Sequence, residues 1–404
     1  MKVLGLEESK LKKYLNLQRE FARKDYINLN PIQRGGILTE EARKALIEFG
    51  DGYSVCDWCP PKTPRLDMIN RPPIHDFLED LASFLNMDVV RVVTRCREAK
   101  FIVFRMLGKP GDYVVVDSLA HYTTYLAAEA AGLKIKEVPH SGYPEYRLNL
   151  DAYAEKIEEV KKETGKPPVA VLLTHVDSFY GNLNDASYVA KICHEYEVPF
   201  ILNAAYTAGV MPVDGKNLDV DVLVGSGHKS WAASAPTGIL ALKEDLSKKI
   251  LLRSSVVGDW SGRKFPIKEL PLLGCTVMGA PLITLMASFP HIIKRVKNWN
   301  EEIKKARHLI EQLERIEGTK QLGVKPKNHT LVHVESLGFY KISKSHKRRG
   351  FFLYDELKER KIVGIQPGLT KHFELNVYGL TWDQVKYVAE SFLEIAKKYG
   401  LNIS

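Results

Sequence analysis

The sequence predicts an α/β protein with a large, mostly parallel sheet and a smaller C-terminal α/β domain. Three observations carry this. Short, continuously apolar segments alternate with helical ones from Pro73 onward. Those segments are apolar throughout, as in strands covered on both faces. At 404 residues the chain exceeds one ordinary compact domain.

The elements follow in order. Glu8–Lys24 and Thr39–Phe49 read as helices, with a turn at Pro31–Gly36 between them. A proline-rich stretch follows, Cys59–Pro73. His75–Leu85 reads as a helix, Val89–Thr94 as a strand, Tyr113–Val116 as an apolar strand core and His121–Ala131 as a helix. Lys134–Pro139 is a strand and Leu150–Glu163 an amphipathic helix. Val169–Thr174, Pro199–Asn203, Val220–Gly225 and Gly238–Leu242 are strands, with a helix at Ala186–Tyr196 after the first. One long helix is expected over Ile283–Ile316. Strand, helix, strand and helix close the chain at Thr330–Val334, Phe351–Arg360, Phe373–Val377 and Thr381–Tyr399. The expected units are an N-terminal arm at 1–70, a large domain at 71–300 and a small domain at 301–404.

Composition bounds the function. Hydrophobic residues make up 45% and charged residues 26%, which is ordinary for a globular protein. No apolar run approaches the ~20 residues that span a bilayer. The N-terminus lacks an apolar signal core, so a cytoplasmic protein is expected. The net charge of +9 favours polyanionic partners, weakly on its own. Five cysteines, an odd number, argue against a disulfide framework.

The strongest chemical signal is Val222-Leu223-Val224-Gly225-Ser226-Gly227-His228-Lys229. An apolar strand ends in a small-residue turn, and a lysine follows at once. Ligands in such sheets bind at the carboxyl ends of the strands. Ser226 and His228 can donate to a phosphate, and Gly227 lets the backbone approach it. An amine beside phosphate donors is what pyridoxal 5′-phosphate (PLP) requires. Taken alone, the segment reads equally well as a surface lysine in a glycine-rich turn.

Other strand ends add to it. Thr94-Arg95-Cys96-Arg97-Glu98 opens a helix, whose N-terminus can hold a phosphate dianion. His121 begins the next helix, where an imidazole can stack on a pyridine ring. His175-Val176-Asp177 ends a strand and can reach a phenolic oxygen. Asn203 ends another, where a carboxylate usually holds the pyridine nitrogen. Each has a plain reading alone: a helix-end histidine, a surface Arg97–Glu98 pair. Together they stand in the order one cofactor needs.

This arrangement resembles the class V aminotransferase and cysteine desulfurase group of fold type I PLP enzymes, over about residues 70–300. The chain resembles more narrowly the archaeal O-phosphoseryl-tRNA:cysteinyl-tRNA synthases. That closer likeness rests on Ile27–Gly36, Cys56-Asp57-Trp58-Cys59, Gly181-Asn182-Leu183 and Cys275. It implies a homodimer acting on tRNA(Cys) charged with phosphoserine, with the phosphoseryl-tRNA synthetase as a further partner. It implies that Lys229 carries PLP, with Arg97, Glu98, His121, Asp177, Asn203, Ser226, Gly227 and His228 around it. Cys56, Cys59 and Cys275 are implied to gather at the site, as carriers of persulfide sulfur or as ligands of an iron–sulfur cluster. Cys193 reads as structural, and Cys96 has no assigned chemistry.

Asn203 departs from the wider group. A neutral amide cannot hold a pyridinium as a carboxylate does, which disfavours transamination and suits expulsion of a good leaving group. The substrate phosphate is expected at Arg253 and His175. Candidate tRNA contacts are Lys341, Lys344, His346, Lys347, Arg348 and Arg349, and an N-terminal set of Lys10, Lys12, Lys13, Arg19, Arg23 and Lys24. The implied reaction is β-elimination of phosphate followed by sulfur addition from a persulfide. The rival readings are a cysteine desulfurase and a catalytically inactive RNA-binding protein on the same scaffold.

Overall fold

The computed structural model describes residues 2–3, 6–7, 17, 25–51, 54–55, 74–266, 268–272 and 277–404. Seven strands form the central sheet. They are β1 (Val89–Val93), β2 (Tyr113–Asp117), β3 (Lys134–Val138), β4 (Ala170–Thr174), β5 (Phe200–Asn203), β6 (Val222–Ser226) and β7 (Gly238–Leu242). Their order is β1-β7-β6-β5-β4-β2-β3. β7 runs antiparallel to both its neighbours, and all other pairings are parallel.

The sequence explains the layering. β2, β4, β5, β6 and β7 are buried at every residue. Successive side chains go to opposite faces. Val115, Leu173, Leu202 and Leu223 join one core, with the helices Ile74–Leu85, Ala152–Thr164, Ala186–Glu195 and Gly279–Lys297. Val116, Leu172, Ile201 and Val224 join the other, under the helices Cys96–Leu107, Tyr122–Ala130 and Glu244–Ile250. Cys193 is fully buried in the first core. The edge strand β3, Lys-Ile-Lys-Glu-Val, exposes Lys134 and Glu137. Charge on an edge blocks further strand pairing.

The expected helix over Ile283–Ile316 is two helices, Gly279–Lys297 and Trp299–Glu314. Asn298 breaks them apart (φ −92°, ψ 13°). The apolar pattern runs through the break, because the residues after it turn inward at the junction of the domains. Trp299 and Ile303 pack there with Val210 and Tyr378.

The small domain carries an antiparallel sheet ordered β8 (Thr319–Leu322), β9 (Leu331–Ser336) and β10 (His372–Asn376). The final helix, Trp382–Lys398, starts from a capping box: Gln384 N–H donates to Thr381 Oγ1, and Thr381 N–H to Gln384 Oε1. An early segment completes this domain. Ile27–Asn28 pairs in parallel with Ile362–Val363, and Leu29 is fully buried in the small-domain core. The chain then crosses to the large domain at Gly35 and Gly36. A Cβ at Gly36 would lie 1.8 Å from the His228 carbonyl oxygen, and one at Gly35 2.5 Å from that of Lys229. Only glycine permits this approach. Among the described residues no helix is long and apolar enough to cross a membrane.

Candidate active site

The carboxyl ends of β4, β5 and β6 and the N-terminus of Cys96–Leu107 enclose a cavity of about 320 Å³. That is within the range of small-molecule sites. Lys229, Ser226, His228, His121, Asn203 and Arg97 all line it. Residues far apart in the sequence therefore meet, because each stands just past a strand end.

Lys229 lies in the one-turn helix after β6. Its ammonium sits 4.4 Å from the centroid of the Tyr206 ring. His121 caps the helix Tyr122–Ala130: its Nδ1 accepts from Thr123 N and lies 2.9 Å from Thr123 Oγ1. The tautomer therefore carries its proton on Nε2. Burial, then the charges of Lys229 and Lys100, lowers its pKa to about 4. His228 is lowered to about 4 as well, by burial and then by Lys229 and Arg95, with Nδ1 3.3 Å from Ser226 Oγ. Two neutral imidazoles thus flank the Lys229 amine near neutral pH.

The electrostatics are one-sided. Arg95, Arg97, Lys100 and Lys229 line the cavity, and among the described residues no aspartate or glutamate does. Arg95 and Arg97 stand at an exposed rim, where the first N–H groups of Cys96–Leu107 have no partner within the helix. Lys100 is 1% exposed. It donates to Thr123 Oγ1 (3.1 Å) and Thr124 Oγ1 (2.8 Å), and burial lowers its pKa to about 8.

Several expected residues stand elsewhere. Asp177 is not at the cavity. Its buried carboxylate accepts N–H bonds from Phe179, Tyr180 and Asn182 and shapes that turn, while Thr174, Val176 and Ser178 present themselves to the cavity instead. Burial raises the Asp177 pKa. Glu98 turns back to accept from Thr94 N and Oγ1. His175 is buried beside Thr207 Oγ1 at 3.0 Å, and burial lowers its pKa to about 4. Arg253 is exposed on a hairpin-like extension, its backbone paired antiparallel with that of Glu269, and does not line the cavity. Gly227 is buried beneath the turn, not in the lining. Cys56, Cys59 and Cys275 lie outside the described residues, as do Lys10, Lys12, Lys13, Arg19, Arg23 and Lys24. Of the other basic set, Lys341, Lys344, Lys347, Arg348 and Arg349 are exposed on the small domain, while His346 is only partly so. Arg348 pairs with Asp355 at 2.7 Å.

Sequence reasoning missed several residues here. Tyr206, three places after Asn203, lies beneath Lys229. Its carbonyl accepts at 3.0 Å from Nε2 of the small-domain residue His329, whose Nδ1 accepts from Leu331 N. Arg295 is half-buried and ties three backbone segments together, donating to the carbonyls of Gly35 (2.9 Å), Gly209 (3.2 Å) and Ser230. The pattern Thr94-Arg95-Cys96-Arg97 offered a signal for Arg95. Nothing local marks Arg295 or His329.

Comparison with known proteins places this geometry. Residues 99–402 match the family model of O-phosphoseryl-tRNA(Sec) selenium transferase. The O-phospho-L-seryl-tRNA:Cys-tRNA synthase of Methanopyrus kandleri is 55% identical over 394 residues, covering 98% of this chain and all of that one. That of Methanocaldococcus jannaschii is 54% identical, covering 95% and 99%. A solved complex of SepCysS with the N-terminal domain of SepCysE superposes with a TM-score of 0.87 at 52% identity, over 96% of this chain and 99% of that one. The partner in that complex is SepCysE and not a phosphoseryl-tRNA synthetase. A cysteine desulfurase from Thermococcus onnurineus shares the fold, with a TM-score of 0.70 at 17% identity over 93% and 96% of the two chains. The architecture is that of fold type I PLP-dependent transferases. On full-length identity, the chain belongs to the O-phosphoseryl-tRNA(Sec) selenium transferase family and, within it, to the O-phospho-L-seryl-tRNA:Cys-tRNA synthases.

Proposed function

We propose that the chain converts O-phosphoseryl-tRNA(Cys) to cysteinyl-tRNA(Cys) by PLP-dependent elimination of phosphate and addition of sulfur. The observation that carries this is the cavity's charge: three basic side chains, and no carboxylate among the described residues, around the amine of Lys229. The coenzyme and the substrate each bring a phosphate, and buried or rim cations without acidic partners suit both. The residues fit the coenzyme. Arg95, Arg97, Ser226, His228 and the helix N-terminus would hold its phosphate, His121 would face its ring, Asn203 its ring nitrogen, and Lys229 would bind it covalently.

PLP, when bound, supplies the electron sink that lets the Cα proton leave. Lys229, freed when the substrate's amine takes its place, accepts that proton on Nζ as general base. Neutral His121 and His228 leave the amine as the proton acceptor and add no positive charge against it. The remaining cations stabilise the departing phosphate at Cβ. The sulfur step is assigned to Cys56, Cys59 and Cys275. The terminal sulfur of a persulfide on one of them adds to the Cβ carbon that phosphate has left. A second thiol then cleaves the resulting S–S bond, which leaves the product thiol and a protein disulfide.

Two further readings complete the proposal. The extension at 252–270 exposes Trp260 (95%), Val256, Val257 and Leu270. So much apolar surface on one projection supports a second copy of the chain as its cover. Lys341, Lys344, Lys347 and Arg349 supply basic surface for tRNA. The test of the assignment is borohydride reduction of the PLP-loaded protein followed by peptide mapping. A pyridoxyl label on Lys229 is expected, and a label on any other lysine would refute it.

A further inference from the structure

Asn203 ends β5 at the floor of the cavity and is 5% exposed. Its Oδ1 accepts from the Cys96 thiol, with Sγ at 3.7 Å. Its Nδ2 makes no hydrogen bond to any described residue. An amide nitrogen carries two donors, and in a site closed to water each is stabilised by an acceptor. A cavity lined by this group therefore asks for an acceptor. Burial pushes the Cys96 thiol pKa up, so the sulfur keeps the proton it donates.

We propose that Cys96 is a positioning residue: it locks the Asn203 amide so that N–H, and not C=O, meets the ring nitrogen of the coenzyme, which is thereby held unprotonated. This rests on the PLP reading above. In PLP the ring nitrogen lies para to the ring carbon that bears the aldehyde, with which the lysine reacts, so it is directed away from Lys229. With cations on the phosphate side, Asn203 is the one amide among the described lining residues and offers that nitrogen N–H donors. A flipped amide would point its carbonyl at the ring, which demands a protonated nitrogen, and would turn its NH₂ toward sulfur, a weak acceptor. Among the described residues no carboxylate lines the cavity to restore the proton. Asp117, whose Oδ2 accepts from Thr174 N at 2.7 Å, does not line the cavity. An unprotonated ring is a weaker electron sink. It suffices where a phosphate leaves readily and disfavours exchange of the amino group.

The test is ¹⁵N NMR of the protein reconstituted with ring-¹⁵N PLP. The wild type is expected to resonate in the unprotonated pyridine range, and Cys96→Ser, which keeps a donor, to match it. Asn203→Asp supplies the pyridinium reference. Cys96→Ala, with unchanged circular dichroism, should move toward that reference and bind PLP about three-fold more weakly. A pyridinium signal in the wild type would overturn the inference, as would Cys96→Ala matching the wild type in both shift and affinity. A wild type that takes up no PLP would instead overturn the functional assignment itself.

Discussion

Two clusters of charged side chains stand at opposite ends of the central strands. At the end where β6 begins, His194, Asp219, Asp221 and Lys243 pair with one another. His194 Nδ1 and Nε2 each lie 2.8 Å from a carboxylate, and Lys243 lies 2.7 Å from Asp219 and 2.9 Å from Asp221. At the other end, Arg95, Arg97, Lys100 and Lys229 make no ion pair with any described residue. The first cluster is closed and ties strands together: Asp221 also accepts from Phe200 N. The second is open, and under the proposed function its missing counter-charges come from the phosphates of coenzyme and substrate. Compensation within the chain marks structure, and its absence marks function.

The contrast breaks first at Lys229. Lys229→Ala should lower phosphate release from phosphoseryl-tRNA by about 10³-fold or more in a single-turnover assay, because base and anchor are lost together. A variant with near-normal release would place the chemistry elsewhere. On the closed side, Asp221→Ala should lower stability to urea by about 1–3 kcal/mol, since Phe200 N loses its acceptor and His194 and Lys243 each lose one of two partners. The coenzyme's visible absorption should not change. A spectral change without lost stability would merge the two clusters.

Lys100 connects stability to function. Its pKa falls to about 8 in the fold, against an ordinary value near 10.5. Below about pH 8 the buried ammonium is charged and the full cost of its desolvation weighs on the apo protein. As pH rises from about 8 to 10.5, the folded state has released a proton that the unfolded chain still holds, so the cost fades. Lys100→Met should therefore stabilise the apo protein by about 1–3 kcal/mol at pH 7 and by much less at pH 10, while weakening PLP binding. Equal effects at both pH values would contradict a charged buried lysine. The smallest effect is expected on the surface. Replacing Lys347, Arg348 and Arg349 together should flatten the salt dependence of tRNA binding by about one unit of slope for each phosphate that is no longer neutralised. Arg348 should contribute least, because it already pairs with Asp355.

The same contrast explains what could be read from sequence. Strands buried on both faces are apolar throughout, so β2 and β4 to β7 were legible, as was the small-residue turn before Lys229. The direction of β7 was not, because an antiparallel strand in such a sheet carries the same composition. β8, Thr-Lys-Gln-Leu, was missed because its inward residues are polar: Thr319 Oγ1 lies 2.7 Å from Ser336 Oγ, and Gln321 donates to backbone carbonyls. Lys100 reads as a solvated helix lysine, and only Thr123 and Thr124 on the neighbouring helix show it to be buried. Asp177 stood in the expected strand-end position, yet its turn needed an acceptor for three N–H groups and took the side chain away from the cavity.

The most direct test of the central claim is phosphate release by the PLP-loaded variant Cys56→Ala/Cys59→Ala/Cys275→Ala, given phosphoseryl-tRNA(Cys). Elimination needs a base, an electron sink and cations for the leaving group, all of which the open cluster and its coenzyme supply without a thiol. The account predicts release of inorganic phosphate with no cysteinyl-tRNA formed. A variant that keeps the bound coenzyme's absorption yet releases no phosphate would contradict it.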